Sequence, residues 1–109
     1  MAEIYAMNFP LALLGRWGSD AGEDDARSEY HVSIENGRLT VMGRDCVDHE
    51  PFIISNITYD RNRVEFDTLM PSTGRAGHLI LVDIGVPDAA QMKFTFTDTA
   101  IVKKLIDKA

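Results

Sequence analysis

Alternation of apolar and polar positions dominates this chain and predicts strands. Residues 29–44 hold two alternating runs around Asn36-Gly37, the residue pair best suited to a two-residue hairpin turn. That turn sets Ile34 opposite Leu39, Val32 opposite Val41 and Tyr30 opposite Gly43 on one face. Glu35 with Arg38, Ser33 with Thr40 and His31 with Met42 fall on the other. One apolar and one mostly polar face is what a half-buried antiparallel pair requires.

A second hairpin is predicted over residues 52–70, turning at Arg61-Asn62. A two-residue loop pairs Tyr59 with Val64, Ile57 with Phe66, Ser55 with Thr68 and Ile53 with Met70 on an apolar face. The reverse face pairs Asp60 with Arg63, Thr58 with Glu65, Asn56 with Asp67 and Ile54 with Leu69. Residues 71–77 read as a loop, and residues 78–84 as a strand apolar on both faces, so central or covered. In that strand His78 shares a face with Ile80, Val82 and Ile84. Residues 85–90 turn, with Pro87 barring a ladder hydrogen bond. Residues 91–97 alternate again, with Met92, Phe94 and Phe96 on one face.

The two ends predict helix. Asn8 can cap a short helical lead-in over residues 9–14, with Pro10 in its first turn and Gly15 ending it. Asp98 can cap a C-terminal helix with an apolar stripe of Ile101, Val102, Leu105 and Ile106 and with Lys103, Lys104 and Lys108 toward its end. The expected fold is therefore mainly β. It is a small antiparallel up-and-down barrel or half-barrel of about seven or eight strands, with a short N-terminal helical turn and a C-terminal helix. Residues 1–109 read as one domain, since two cores cut from this length would each be too small. Side chains can fill such a short barrel, leaving at most a small cavity.

Charge and cysteine usage narrow the function classes. The formal net charge is −6, which disfavours nucleic acid and anionic membrane surfaces as partners. Asp20, Glu23, Asp24 and Asp25 read as a solvated acidic loop whose spacing does not match an EF-hand. The single cysteine, Cys46, forms no intramolecular disulfide and is compatible with a cytoplasmic setting. The apolar stretch of residues 4–14 is interrupted by Asn8 and Pro10 and is too short to span a bilayer. It also lacks the charged start of a secretory signal.

Leu13-Leu14-Gly15-Arg16-Trp17 resembles the Gly-x-Trp start of the first strand in lipocalins, and similar starts occur in fatty-acid-binding proteins and avidins. The resemblance implies a helical plug before the strand, a tryptophan packed at the closed end and a basic side chain across it. No arginine follows Arg75, so Lys93 or a C-terminal lysine would have to supply that cation–π contact. Thr97-Asp98-Thr99 is only faintly similar to a second lipocalin motif. Seven strands followed by an amphipathic helix also resemble a pleckstrin-homology barrel, which shifts the expectation toward partner recognition.

Candidate chemistry is sparse. Cys46 and His49 stand at a C-x-x-H spacing, but no second pair completes a zinc site, and the run reads as a polar connection. No metal and no cofactor is expected. Ser55 and Thr68 are small hydroxyl residues amid an apolar face. They suit a ligand cavity or a cross-strand pair that satisfies itself in a filled core. The expected function is binding of a small apolar or amphipathic molecule by Trp17, Tyr30, Ser55, Tyr59, Thr68 and His78. The alternative is a self-associating or protein-interaction module, a homodimer for example, that uses Leu79, Leu81 and the Ile54–Leu69 pair. A third reading is an enzyme using His78 or Asp67 with the loop of residues 72–75. No residue is expected to be catalytic, because nothing matches a nucleophile triad or a phosphate-cradling loop.

Overall fold

A computed structural model describes residues 8–18, 28–46 and 49–105. Among these residues a 3-10 helix, Leu11–Leu13, precedes seven strands: β1 (Gly15–Gly18), β2 (Ser28–Glu35), β3 (Arg38–Asp45), β4 (Ile53–Asp60), β5 (Arg63–Leu69), β6 (Ala76–Asp83) and β7 (Ala90–Thr97). They form two antiparallel sheets, ordered β1-β2-β3 and β4-β5-β6-β7. Every pairing joins neighbours in sequence, as in a meander. The sheets meet at a corner between β3 and β4. There Arg44 bridges to Pro51, and the Phe52 N–H donates to the Gly43 carbonyl at 2.9 Å.

The β2–β3 hairpin has the register predicted by its turn. Ile34 faces Leu39, Val32 faces Val41 and Tyr30 faces Gly43. Asn36 and Gly37 both take positive φ, 54° and 77°, the twist-matched geometry of a two-residue hairpin. Leu39, Val41, Tyr30 and Val32 are all buried.

The β4–β5 hairpin begins in the predicted register and then leaves it. Asp60–Arg63, Tyr59–Val64 and Thr58–Glu65 pair as expected, but the ladder resumes at Ser55–Asp67, Ile54–Thr68 and Ile53–Leu69. Asn56 and Ile57 together oppose Phe66 in a β-bulge, with Asn56 at φ 55°. Asn56 tolerates that conformation, and its side-chain amide donates to Asp67 Oδ2 at 2.8 Å. One extra residue reverses every side chain beyond it. Ser55 therefore lies exposed on the outer face, and the expected Ser55–Thr68 and Ile54–Leu69 pairs do not form. Ile54 instead packs on the core, and Ile53 joins Leu69 outside.

Core burial decides the faces of β6. Leu79 and Leu81 are 1% and 2% exposed and pack with Val64 and Phe66 against Tyr30, Val32, Leu39 and Val41. This overturns the expected contact surface of Leu79 and Leu81, which is interior. His78, Ile80 and Val82 take the outer face, with His78 exposed.

Three further expectations are corrected. The barrel does not close: among the described residues β1 pairs only with β2, and β7 only with β6. The meander breaks instead at the β3–β4 corner, where the isolated Arg44–Pro51 bridge joins a three-stranded sheet to a four-stranded one. The C-terminal helix is absent through residue 105, where the chain has no regular structure. A short apolar stripe does not repay helix nucleation without a surface to pack on. The N-terminal helix shrinks to Leu11–Leu13, with Pro10 rather than Asn8 at its cap and no side-chain cap bond. The acidic stretch at residues 20–25 lies outside the described residues.

Candidate functional site

The open side between the two sheets holds a mostly apolar groove of ≈ 230 Å³. One wall comes from Trp17, Gly18, Ser28 and Tyr30, the other from β6 and β7: Leu79, Leu81, Ala90, Met92, Phe94 and Phe96. Inward alternation explains the second wall, because residues 92, 94 and 96 share the face of Leu79 and Leu81 in the β6–β7 register. Phe94 is 53% exposed, so the groove is open to solvent along β7.

The 3-10 turn positions Trp17. The indole N–H donates to the Leu13 carbonyl at 2.8 Å, tying the first strand to the turn before it. Leu13 is fully buried, and Trp17 stands directly opposite Tyr30. Tyr30 is buried among Phe66, at 5.5 Å between ring centroids, and Phe52, at 6.1 Å. Burial pushes its phenol above the usual range, partly offset by the Ser28 hydroxyl. It stays neutral and can share its hydroxyl with a bound molecule.

Of the residues predicted for the site, Trp17 and Tyr30 line this groove. Thr68 is buried two strands in from Phe96, beside Gly77, and shares a separate concavity with Ser55 and His78. Tyr59 is part-exposed and stacks on Phe9 at 5.5 Å. Ser55 and His78 lie on the outer face. Sequence reasoning missed Met92, Phe94 and Phe96 as wall residues, although their alternation was legible. What could not be read was that the barrel stays open beside them.

Among the described residues the cation–π contact is made by Arg75 with Phe96, and not by Lys93 with Trp17. The Arg75 guanidinium lies 4.3 Å from the centre of the Phe96 ring. Its Nε is shielded from solvent with no hydrogen-bond partner, at 3.6 Å from the Asp98 carboxylate. The basic group thus covers one end of the groove's β7 wall.

On the outer face, both nitrogens of His78 meet carboxylates: Nδ1 lies 2.6 Å from Asp67 Oδ1 and Nε2 2.5 Å from Glu65 Oε2. Asp67, then Glu65, hold His78 protonated above the ordinary imidazole range. Hydrogen bonds from Asn56 and then His78 hold the Asp67 carboxyl below its usual range. With both nitrogens engaged, the imidazole has no free lone pair for a general base. Ser72, in the loop proposed to serve it, donates instead to Glu50 at 2.6 Å. The raised His78 pKa stabilises the fold below an unfolded value near ~6.5, and that stability is lost as pH rises through the folded pKa. The lowered Asp67 pKa stabilises the fold above an unfolded value near ~3.9, and that stability is lost as pH falls through the folded one. The cluster contributes most between about pH 4 and pH 6.5. NMR titration should place His78 above ~6.5, and Asp67→Asn should bring it down. A His78 midpoint at or below ~6.5 would contradict the assignment.

Among the described residues, no three His, Cys, Asp or Glu side chains are grouped to hold a metal ion. Cys46 is exposed. No helix among these residues is long and apolar enough to cross a membrane. Set against known protein families, curated proteins and solved structures, the chain matches none.

Proposed function

We propose that this protein is a non-catalytic binding domain that takes a small apolar or amphipathic molecule in the groove between β1 and β7. The observation that carries this reading is the groove itself: aromatic on one wall, aromatic and aliphatic on the other, open at one side, with Ser28 and Tyr30 as its polar elements. A mostly apolar lining with a few polar groups is the usual make-up of small-molecule sites. The lipocalin-like Gly15-Arg16-Trp17 start supports it, since Trp17 forms part of the wall. Arg75, over Phe96, favours a ligand with an anionic head, which would compete with Asp98 for the guanidinium. A cytoplasmic setting fits the free thiol of Cys46.

Decanoate is a suitable probe, and Trp17 is the reporter because it is the only tryptophan. Titration should change its emission saturably. Phe94→Glu, at a half-exposed wall position, should weaken binding by about tenfold or more, which is ~1.4 kcal/mol. The absence of a saturable response in the unsubstituted protein would refute the reading.

A further inference from the structure

We infer that the outer face of the first sheet carries a second binding site, for the phosphoryl group of a small phosphate monoester, formed by Arg16, His31, Arg44 and His49. It lies on the reverse side of β2 from the groove and does not rest on the groove being a ligand site. The four residues line one open concavity of ≈ 500 Å³, and Glu29 is the single carboxylate among the described residues that line it. Two arginines and two of the chain's three histidines thus gather in a protein with 17 acidic against 11 basic residues. The strand register brings them together. Arg16, His31 and Met42 form one row across β1, β2 and β3, and Gly18, Glu29 and Arg44 form the next row on that face. The alternate residues Trp17 and Tyr30 point the other way, to the groove.

Glu29 orients the two guanidiniums without cancelling them. Arg16 donates to Glu29 Oε1 through Nε, at 2.9 Å, and through Nη2, while Arg44 Nη2 lies 3.6 Å from Oε2. The Arg16 hydrogen bond, above all, holds the Glu29 carboxyl below its usual range, so it stays ionised. One carboxylate against two guanidiniums leaves a positive charge in excess, and each guanidinium carries more N–H donors than these contacts use. The corner after β3 supplies the last donor. The Asp45 N–H donates to the Glu50 carbonyl and the Phe52 N–H to the Gly43 carbonyl, each at 2.9 Å, which returns the chain beside Arg44 with His49 in the bend. His49 takes φ 62°, a conformation that glycine adopts at less cost. Among the described residues the histidine–carboxylate contacts are those of His78, so neither His31 nor His49 is paired with an acid. Donors from β1, β2, β3 and the corner therefore surround one concavity. That arrangement suits the three terminal oxygens of a phosphoryl group better than the two of a carboxylate. Met42, 61% exposed and opposite His31, and Pro51 add an apolar rim for the organic part of the ester. The net charge of −6 repels extended polyanions, whereas one small anion responds to charges within about 8 Å.

Phenyl phosphate is the probe, compared with inorganic phosphate and acetate in NMR titrations of the full chain at fixed pH and ionic strength. The ring signals of His31 and His49 should shift saturably with both phosphates, with phenyl phosphate the tighter, and should not follow acetate. His78, whose nitrogens are engaged by Asp67 and Glu65 on the other sheet, is the internal control and should stay still. Arg16→Gln and Arg44→Gln should each weaken phenyl phosphate by about tenfold or more. Their circular dichroism spectra should not change, because both side chains are largely exposed. His49→Gly suits the left-handed backbone better and removes the ring, so it should weaken binding while the fold stays as stable or gains. That split separates a ligand contact from a role in the corner. Shifts that rise without saturation, or that acetate reproduces, overturn the inference. So does undiminished phosphate affinity in the Arg16→Gln/Arg44→Gln protein. Trp17 emission with decanoate reads the groove independently, so either site can fail while the other stands.

Discussion

Phe66→Ala is expected to lower the stability of the domain by about 3–5 kcal/mol. Phe66 has no exposed surface and is the largest of the fully buried side chains. It sits where the sheets press together, facing Tyr30 across the core and lying beside Leu79 in its own sheet. The bulge at Asn56 and Ile57 lies directly opposite it, and the corner at β3–β4 constrains the chain on the other side. Such surroundings relax poorly, so the lost contacts and the residual cavity both count. Domains of this size hold about 5–15 kcal/mol in total, so the change removes a large fraction. Urea melts should show the midpoint falling at an unchanged m-value. Phe94→Ala, at a half-exposed position, should cost far less. Equal losses in the two variants would contradict the assignment of core and wall.

Gly43→Ala should destabilise by about 1–3 kcal/mol, the usual cost of overpacking. A Cβ at this position would stand 2.7 Å from Tyr30 Cδ1, 2.8 Å from Tyr30 Cε1 and 3.1 Å from Phe52 Cδ2. The Tyr30 ring is held between Phe52 and Phe66 and cannot retreat without disturbing either. Because Tyr30 also lines the groove, the same substitution should weaken decanoate binding. Gly18→Ala is the matched control. Its Cβ would meet only the Ser28 carbonyl oxygen, at 3.7 Å, an ordinary contact. Its stability should change little or rise slightly, since alanine narrows the unfolded ensemble. A Gly43→Ala protein as stable as Gly18→Ala would mean that Tyr30 is not packed as described.

These two residues show how far the sequence could be read. The pairing of Tyr30 with Gly43 follows from Asn36-Gly37, because a two-residue turn counts the register outward without ambiguity. Gly43 then becomes legible as the gap that admits the Tyr30 ring. The same counting fails past Arg61-Asn62, where the bulge adds a residue at Asn56. No local pattern announces it: an alternating run reads the same with or without one extra residue until both faces are compared with a partner. Ser55 turns to the outer face for that reason. His78 was misplaced for a different one. A strand apolar on both faces leaves its orientation undetermined, and burial of Leu79 and Leu81 against the opposite sheet chose it.

By itself the sequence determined the mainly β character, the strand order of the meander, the first hairpin's register and the start of β1 at Gly15, since each rests on contacts or turns close along the chain. It also placed Trp17 and Tyr30 in apolar surroundings. Only the tertiary structure decided which face of β6 is inside, where the second hairpin slips, and that β1 and β7 stand apart with a groove between them. Those outcomes depend on how two distant sheets share one core, and side-chain burial across that core costs or returns more free energy than any local preference.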